Sequence, residues 1–250
     1  TMRRFPAKEQ LRYASCFREV AKRGWLDFLQ LFYPRLCIGC GESLNREEKD
    51  LCLTCMMELP LLPYQQMKGG GFMEERFHGR IELEGVTALL QYEKESVAQR
   101  ILHDLKYHGN KEIGRRMGRM LGSKLRQTNF ASVDAVLPVP LHSNRLKSRG
   151  YNQSEWIAKG IAESLQKEVW TDVLRRDVEN VTQTKKDSFE RWENVEGIFS
   201  LSDVRSLEGL HLLVVDDVLT TGATLEASIL PLKSKKNVRV SVAVLAAVGL

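Results

Sequence analysis

Residues 213–225 read LVVDDVLTTGATL, an apolar run that leads into two adjacent carboxylates and then a short loop of threonine, glycine and alanine. The apolar run predicts a buried strand. Packing does not explain Asp216 and Asp217, because a carboxylate at the end of an apolar strand loses hydration and gains no apolar contact. The acidic pair and the loop after it therefore predict a binding site at the end of this strand.

The sequence around this stretch alternates between strand-like and helix-like segments. Five segments predict strands: GVTALLQY, VDAVLPVP, WTDVL, HLLVVDD and VRVSVAVLAAV. Four predict helices: residues 95–108, 111–127, 152–167 and 223–236, with Pro231 expected to bend or end the last. Two of the strands are too apolar to have a face in water. The pattern predicts an α/β fold, in which a parallel sheet carries helices on both faces.

Composition limits the classes of protein that this chain can represent. It has 250 residues, of which 43% are hydrophobic, and no run of 18 apolar residues that would predict a transmembrane helix. The first 25 residues carry charges every few positions, so they lack the apolar core of a signal peptide, and we expect a cytoplasmic protein. The net charge of +5 is mildly basic and is compatible with a polyanionic partner without requiring one.

Four of the five cysteines form two Cys-x-x-Cys pairs, whereas Cys16 stands apart. In a reducing compartment this spacing favours a metal ion over disulfides. Each pair can place two thiolates on one ion, which predicts a structural, tetrahedral Zn²⁺ site with no open position. The predicted ligands are Cys37, Cys40, Cys52 and Cys55.

These features predict a division of the chain into four parts. Residues 1–35 contain an apolar stripe at helical spacing and predict an N-terminal helix, and residues 36–62 form the zinc module. Residues 63–84 contain Pro63 and three successive glycines and predict a linker. Residues 85–250 form the α/β domain.

The loop after the acidic pair has the chemistry of a phosphate site. Its small residues leave backbone N–H groups accessible, the next helix adds its positive N-terminal end, and three threonines add hydroxyl donors. The carboxylates before it can accept hydrogen bonds from ribose hydroxyls or hold Mg²⁺. The candidate residues are Asp216, Asp217, Val218, Leu219, Thr220, Thr221, Gly222, Ala223 and Thr224.

A second predicted strand end carries cations. Residues 137–155 read LPVPLHSNRLKSRGYNQSE, in which two prolines are followed by three basic residues. On its own such a run is more typical of a solvated loop. The phosphate, sugar and metal chemistry of the first loop together suggest a phosphoribosyl ligand, and beside such a loop the cations can meet a pyrophosphate, which arginine binds bidentately. The candidate residues of this basic loop are Val139, Pro140, Leu141, Arg145, Lys147, Arg149 and Gly150.

The string DDVLTTGAT resembles the phosphoribosyl pyrophosphate (PRPP) signature of the type I phosphoribosyltransferases. FYPRLCIGCG, ILHDLKYHGNKEIGRRMGRML, VPLH…R…RGYNQ and ERWENVEGIF resemble the ComF family of competence-associated proteins, from about residue 25 to the C-terminus. The resemblance implies a type I phosphoribosyltransferase-like sheet preceded by a small zinc-ribbon-like module. It further implies that Asp216 and Asp217 hold the ribose 2′ and 3′ hydroxyls, while residues 220–224 hold the 5′-phosphate of PRPP with its Mg²⁺.

Two functions remain open from the sequence. The ComF resemblance implies a competence protein that handles incoming single-stranded DNA together with other competence proteins. The signature equally fits an active transferase that displaces pyrophosphate from PRPP and attaches ribose 5-phosphate to a nitrogen base. No base-recognition element is identifiable: Tyr151, Trp192 and Phe199 are better explained as core residues. PRPP binding is the expectation that both hypotheses share.

Overall fold

The computed structural model describes residues 32–64, 71–177, 197–202 and 204–249. The chain divides into two compact units between Met57 and Glu58. Cys16, Trp192 and almost all of the predicted N-terminal helix lie outside the described residues. Among the described helices, none combines the length and the apolar character needed to cross a bilayer.

The first unit is built around its cysteines. Its described part contains one short helix, α1 (Leu53–Met57), and an isolated antiparallel bridge between Leu36 and Ser43. Among residues 32–57, the buried apolar side chains are Cys37, Leu51 and Cys55. The apolar core within residues 32–57 is too small to contribute much stability by itself.

The second unit is built on a five-stranded parallel sheet. The strands of the unit are, in chain order, β1 (Gly85–Tyr92), β2 (Ala135–Pro138), β3 (Glu168–Val169), β4 (Leu174–Arg176), β5 (Phe199–Leu201), β6 (His211–Leu219) and β7 (Arg239–Val248). The large sheet has the order β1-β7-β6-β2-β3, and all of its neighbours pair in parallel. Strands β4 and β5 form a separate antiparallel pair.

Helices connect the strands of the large sheet. They are α2 (Phe72–Glu75), α3 (Val97–Tyr107), α4 (Lys111–Leu125), α5 (Ser143–Arg149), α6 (Gln153–Leu165) and α7 (Ala223–Lys233), with a short 3₁₀ helix at Asn129–Ser132. Side chains cap several of them, as sequence patterns indicate: Ser96, Asn110 and Asn152 each accept a backbone N–H of the first turn. The α/β fold class predicted from the sequence is confirmed.

The central strands β6 and β7 are buried because they have helices on both sides and strands at both edges. Residues 212–215 and 242–247 have no measurable exposure, which explains why their sequences lack alternation. Helices α4 and α6 approach closely through glycines. A Cβ on Gly118 would lie 2.2 Å from the carbonyl oxygen of Ile157, and one on Gly160 would lie 2.0 Å from that of Arg115. This contact fixes α6, whose N-terminus reaches the acidic pair.

Three segments differ from the sequence predictions. The segment WTDVL is not one strand: β3 precedes it in the large sheet, and β4 begins at its last residue. Pro231 does not end α7, which continues to Lys233. The predicted linker contains α2, and both Met73 and Phe77 are buried at 1% exposure, because apolar residues among its many polar ones give it a packed face.

Candidate functional site

The acidic pair lies inside β6, two residues before its end, and both carboxylates are largely buried. Asp216 Oδ1 accepts hydrogen bonds from the Ser154 hydroxyl and from the Asp217 N–H, each at 2.8 Å. Burial raises the pKa of Asp216 to about 7, and the adjacent Asp217 carboxylate adds to this rise; the two hydrogen bonds oppose it. Asp216 is therefore a carboxyl that changes its charge near neutral pH.

Lys106 on α3 forms an ion pair with Asp217. Its Nζ lies 3.0 Å from Asp217 Oδ2, and the side chains are 22% and 13% exposed, respectively. The two neighbouring acids thus have different partners, a hydroxyl for Asp216 and an ammonium group for Asp217. Lys106 was not predicted as a site residue, because helical spacing does not indicate which strand a helix will pack against. Its place within ILHDLKYHG was a possible signal.

The loop after β6 has the geometry expected of an anion site. Gly222 is the N-cap of α7, has a φ of 86°, and is buried, with a Cβ at this position lying 3.0 Å from the Phe77 ring. Glycine is required here by both the backbone angle and the close approach. The flanking residues Thr220, Thr221, Ala223 and Thr224 are exposed, Val218 is half-buried, and Leu219 is buried. The Ala223 N–H donates to Thr221 Oγ1 at the long distance of 3.4 Å, and the first turn of a helix is where backbone N–H groups typically bind anions.

Arg76 forms hydrogen bonds with both this loop and the end of β7. Its guanidinium group donates hydrogen bonds to the carbonyl oxygens of Thr220 and Val248, and to that of Gly249 at 3.3 Å. The loop after β6 and the end of β7 are therefore joined by one side chain. Arg76 was not predicted as a site residue, because residues 63–84 have the composition of a linker.

The predicted basic loop is partly a helix. Val139 is buried and directly follows β2. Its N–H donates to the carbonyl oxygen of Val215 at 2.9 Å, so the end of β2 lies beside β6. Pro140 and Leu141 are half-buried. Residues 143–149 then form α5, because His142 accepts the Asn144 N–H at the N-cap and Gly150 ends the helix in the left-handed conformation.

The three cations of α5 have different surroundings. Arg145 and Lys147 are exposed. Arg149 is half-buried and lies over the ring of Tyr107, with its Cζ 5.4 Å from the ring centroid. The basic residues are thus presented on a helical surface, and one of them contacts the last residue of α3. Tyr151 and Phe199 are buried, as predicted for core residues.

In the first unit, the four predicted thiols converge. The sulfur atoms of Cys37, Cys40, Cys52 and Cys55 all lie within 4.8 Å of one another, and those of Cys40 and Cys52 are 3.7 Å apart. A tetrahedral ion with Zn–S bonds of about 2.3 Å separates its sulfurs by about 3.8 Å. The donor set and its spacing therefore fit one metal ion of the zinc type.

The backbone prepares this cluster for a cation. Burial raises the pKa of the Cys37 thiol, but N–H groups of Cys52, Cys40 and Gly39 outweigh this effect and lower the pKa to about 7. The N–H groups of Gly39 and Cys52 donate to Cys37 Sγ at 3.3 and 3.2 Å. Burial and the neighbouring thiols raise the pKa of Cys55, so a thiolate at this position requires a compensating positive charge.

Comparison with known proteins identifies relatives that are named DNA utilization proteins and competence proteins. The chain is 31% identical over 128 residues to the DNA utilization protein YhgH of Salmonella typhi, covering 50% of this chain and 56% of that protein. It is 24% identical over 206 residues to competence protein F of Haemophilus influenzae, covering 78% of this chain and 89% of that protein. The chain thus spans little more than half the length of the YhgH relatives.

A solved structure of glutamine PRPP amidotransferase from B. subtilis, complexed with ADP and GMP, is also similar, at 23% identity and a TM-score of 0.34. The matched region covers 51% of this chain and 26% of that one. The model of the phosphoribosyl transferase domain matches residues 110–249, which is more than half of the chain and includes the loop after β6. The chain therefore belongs to the phosphoribosyl transferase domain family, and its cysteine cluster and relatives make it a ComF-type member.

Proposed function

We propose that this protein binds PRPP with Mg²⁺ at the end of β6 and acts in the handling of incoming single-stranded DNA during natural competence. The observation that supports the first part most strongly is the arrangement around Gly222, where an exposed loop of small residues caps α7 beside two carboxylates. The names of the relatives, a competence protein and a DNA utilization protein, support the second.

Each part of a PRPP molecule has a counterpart in this site. The 5′-phosphate would take the loop N–H groups and the hydroxyls of Thr220, Thr221 and Thr224, and the ribose hydroxyls would donate to Asp216 and Asp217. Mg²⁺ would reach the site with the pyrophosphate, since it prefers oxygen ligands and usually keeps phosphate partners. The pyrophosphate would extend towards the end of β2 and the cations of α5.

The four thiols are proposed to hold Zn²⁺ in a structural role. Four protein ligands leave the ion no open position for a substrate or a water molecule, so its contribution would be to the folding of the first unit. Thiols in Cys-x-x-Cys pairs also favour a reducing compartment, for which we propose the cytoplasm.

DNA would be held electrostatically. The cations of α5, Arg145, Lys147 and Arg149, form a basic helical surface suited to the phosphates of a single strand. The second candidate function is a transferase activity that attaches ribose 5-phosphate to a nitrogen base. The match of the phosphoribosyl transferase domain to residues 110–249 favours this activity. Release of pyrophosphate from PRPP in the presence of a candidate base would support the transferase.

Calorimetric titration with PRPP and Mg²⁺ tests the proposal. We expect saturable binding, and we expect Asp217→Ala to weaken it by about 10- to 150-fold, since a hydrogen bond to a charged group contributes about 1.5–3 kcal/mol. Asp172→Ala is the matched control, because Asp172 is an aspartate paired with Arg205 and has no place in the proposed site. If Asp217→Ala binds PRPP with unchanged affinity, PRPP binds at another place on the protein. If the protein does not bind single-stranded DNA at low salt, the proposed role in DNA handling is wrong.

A further inference from the structure

A cleft of about 260 Å³ lies beside the phosphoribosyl loop, at the ends of β1, β6 and β7. One wall is a single face of α3, formed by residues spaced three and four apart that include His103, Lys106 and Tyr107. Tyr92, Val218 and Thr220 come from the strand ends. The volume lies just below the roughly 300–1,000 Å³ of sites for drug-sized ligands, so it suits one small ring system. We call this the aromatic cleft.

The rings of the aromatic cleft remain accessible. Tyr107 is 64% exposed, and His103 is exposed as well. Their ring centroids are 4.8 Å apart with planes tilted by 46°. Exposed large aromatic side chains of this kind bind the faces of nucleobases, which stack on them with little dependence on sequence.

Two side chains connect the aromatic cleft to the phosphoribosyl site. Thr220 belongs to both, and Lys106 lines the cleft while its ammonium group pairs with Asp217. A ribose at the acidic pair would thus have the phosphate loop on one side and the aromatic cleft on the other. This is the order phosphate, sugar and base of a nucleoside 5′-phosphate.

A third connection favours a strand over a free nucleotide. Arg149 of α5 lies over the Tyr107 ring, so the basic surface begins at the rim of the cleft. Arg145 and Lys147 continue it along the exposed helix. A free nucleotide has one phosphate, already bound by the loop, whereas a strand carries further phosphates that need such cations. The terminal deoxyribose of a DNA strand has no 2′ hydroxyl, and its 3′ oxygen carries the next phosphate, so it cannot donate to Asp216 and Asp217 as the ribose of PRPP would. The Lys106–Asp217 ion pair lowers the repulsion that this next phosphate would meet at the acidic pair.

We propose that this edge binds the 5′-phosphorylated end of a single DNA strand, with the terminal phosphate in the loop after β6 and the terminal base stacked in the aromatic cleft. The proposal rests on the phosphoribosyl site described under the proposed function, and it names a second ligand for that site. PRPP and the strand end would then compete, because both place a 5′-phosphate in the same loop.

Fluorescence anisotropy with a short thymidine oligonucleotide, labelled at its 3′ end, tests this. We expect the 5′-phosphorylated form to bind about 10-fold or more tightly than the 5′-hydroxyl form, and PRPP with Mg²⁺ to compete with it. Tyr107→Ala should weaken binding of the phosphorylated form by roughly 5- to 150-fold. Tyr33→Ala, at an 81% exposed tyrosine of the first unit, is the matched control. Circular dichroism verifies the fold of both variants.

Equal affinity for the two forms of the oligonucleotide would overturn the proposal, as would Tyr107→Ala binding like Tyr33→Ala. Thymidine 5′-monophosphate that competes as strongly as the phosphorylated strand would overturn the strand end as the ligand. If PRPP binds but the phosphate preference is missing, this inference fails and the PRPP site stands. If the phosphorylated end binds through Tyr107 and PRPP does not bind, the PRPP assignment fails instead.

Discussion

The thiol cluster differs from the edge of the sheet that is proposed to bind PRPP, called the phosphoribosyl edge below, in how widely its functional groups are separated along the chain. All four thiols come from residues 37–55, where the first pair lies at a short turn and the second at the start of α1. The phosphoribosyl edge takes its groups from the C-cap of α2, from α3, from α6 and from β6. These groups are Arg76, Lys106, Ser154 and the acidic pair. The first site needs only local spacing, whereas the second exists only when the whole sheet has formed.

The two regions also shift the pKa of a buried acidic group in opposite directions. At the thiol cluster, backbone N–H groups overcome burial and lower the pKa of Cys37 to about 7, which prepares a thiolate for a cation. At the phosphoribosyl edge, burial and a second carboxylate raise the pKa of Asp216 to about 7, which weakens the anion. A metal ion can neutralise the first site, whereas at the second the Lys106 ammonium group pairs with Asp217.

The largest effect is expected at the thiol cluster, whose residues lie close together in the sequence. Cys52→Ser should abolish stoichiometric zinc and unfold residues 36–57, since the described part of this unit has almost no apolar core beyond its thiols. The second unit should stay folded and bind PRPP as before, because the chain divides into separate compact units at Met57. Elemental analysis and hydrogen exchange measure the two outcomes.

Cys16→Ser is the control for this experiment, since Cys16 stands outside the two Cys-x-x-Cys pairs of the sequence. It should retain zinc in full. Retained zinc in Cys52→Ser would contradict a four-thiolate site, and loss of PRPP binding in that variant would show that the two regions are coupled.

A second prediction concerns the phosphoribosyl edge alone. Gly222→Val should weaken PRPP binding by roughly 100-fold or more, because a residue forced to positive φ costs about 1–3 kcal/mol and the new side chain would also meet Phe77. Gly209→Val separates these effects: Gly209 also has positive φ, at 74°, but open space around it. It should lose comparable stability and keep its affinity. Calorimetry with PRPP would contradict the assignment if Gly222→Val bound tightly.

The thiol ligands, the acidic pair and the loop with Gly222 were predictable because each is a contiguous pattern with its own chemistry. The strands β1, β6 and β7 were predictable as well, since apolar runs of that length have few alternatives. Residues 71–84 were not, because a few apolar side chains among polar ones resemble a linker until the surface that buries Met73 and Phe77 is known.

The remaining groups of the site could not be located from the sequence for a related reason. Lys106 and Ser154 have the helical positions that were predicted, but their partners on β6 are set by how α3 and α6 cross the sheet. The helix α5 was also missed, since its short run of polar residues has no apolar periodicity. Its ends are defined by His142 and Gly150, whose capping roles were not assigned from the sequence.

The smallest effect concerns Asp216 and reveals a balance between binding and stability. The raised pKa means that the folded state holds a proton on this carboxyl between about pH 4 and about pH 7, where the unfolded chain has released it. The stability contributed by Asp216 is therefore present below pH 4 and is lost as the pH rises towards 7. Asp216→Asn keeps an acceptor for Ser154 and removes the charge, so the variant should exceed the unaltered protein in stability by on the order of 1–3 kcal/mol at pH 8.

This advantage should disappear below pH 4, where Asp216 is protonated in both the folded and the unfolded state of the unaltered protein. Urea denaturation at pH 4, 6 and 8 measures the difference, with Asp172→Asn as a control for the loss of one carboxylate at the surface. PRPP affinity at pH 8 should fall in Asp216→Asn, because a neutral amide is a weaker acceptor for a ribose hydroxyl than a carboxylate. A variant that is less stable than the unaltered protein at pH 8 would show that the charge of Asp216 is stabilised in the fold, as that of the thiolates is proposed to be by zinc.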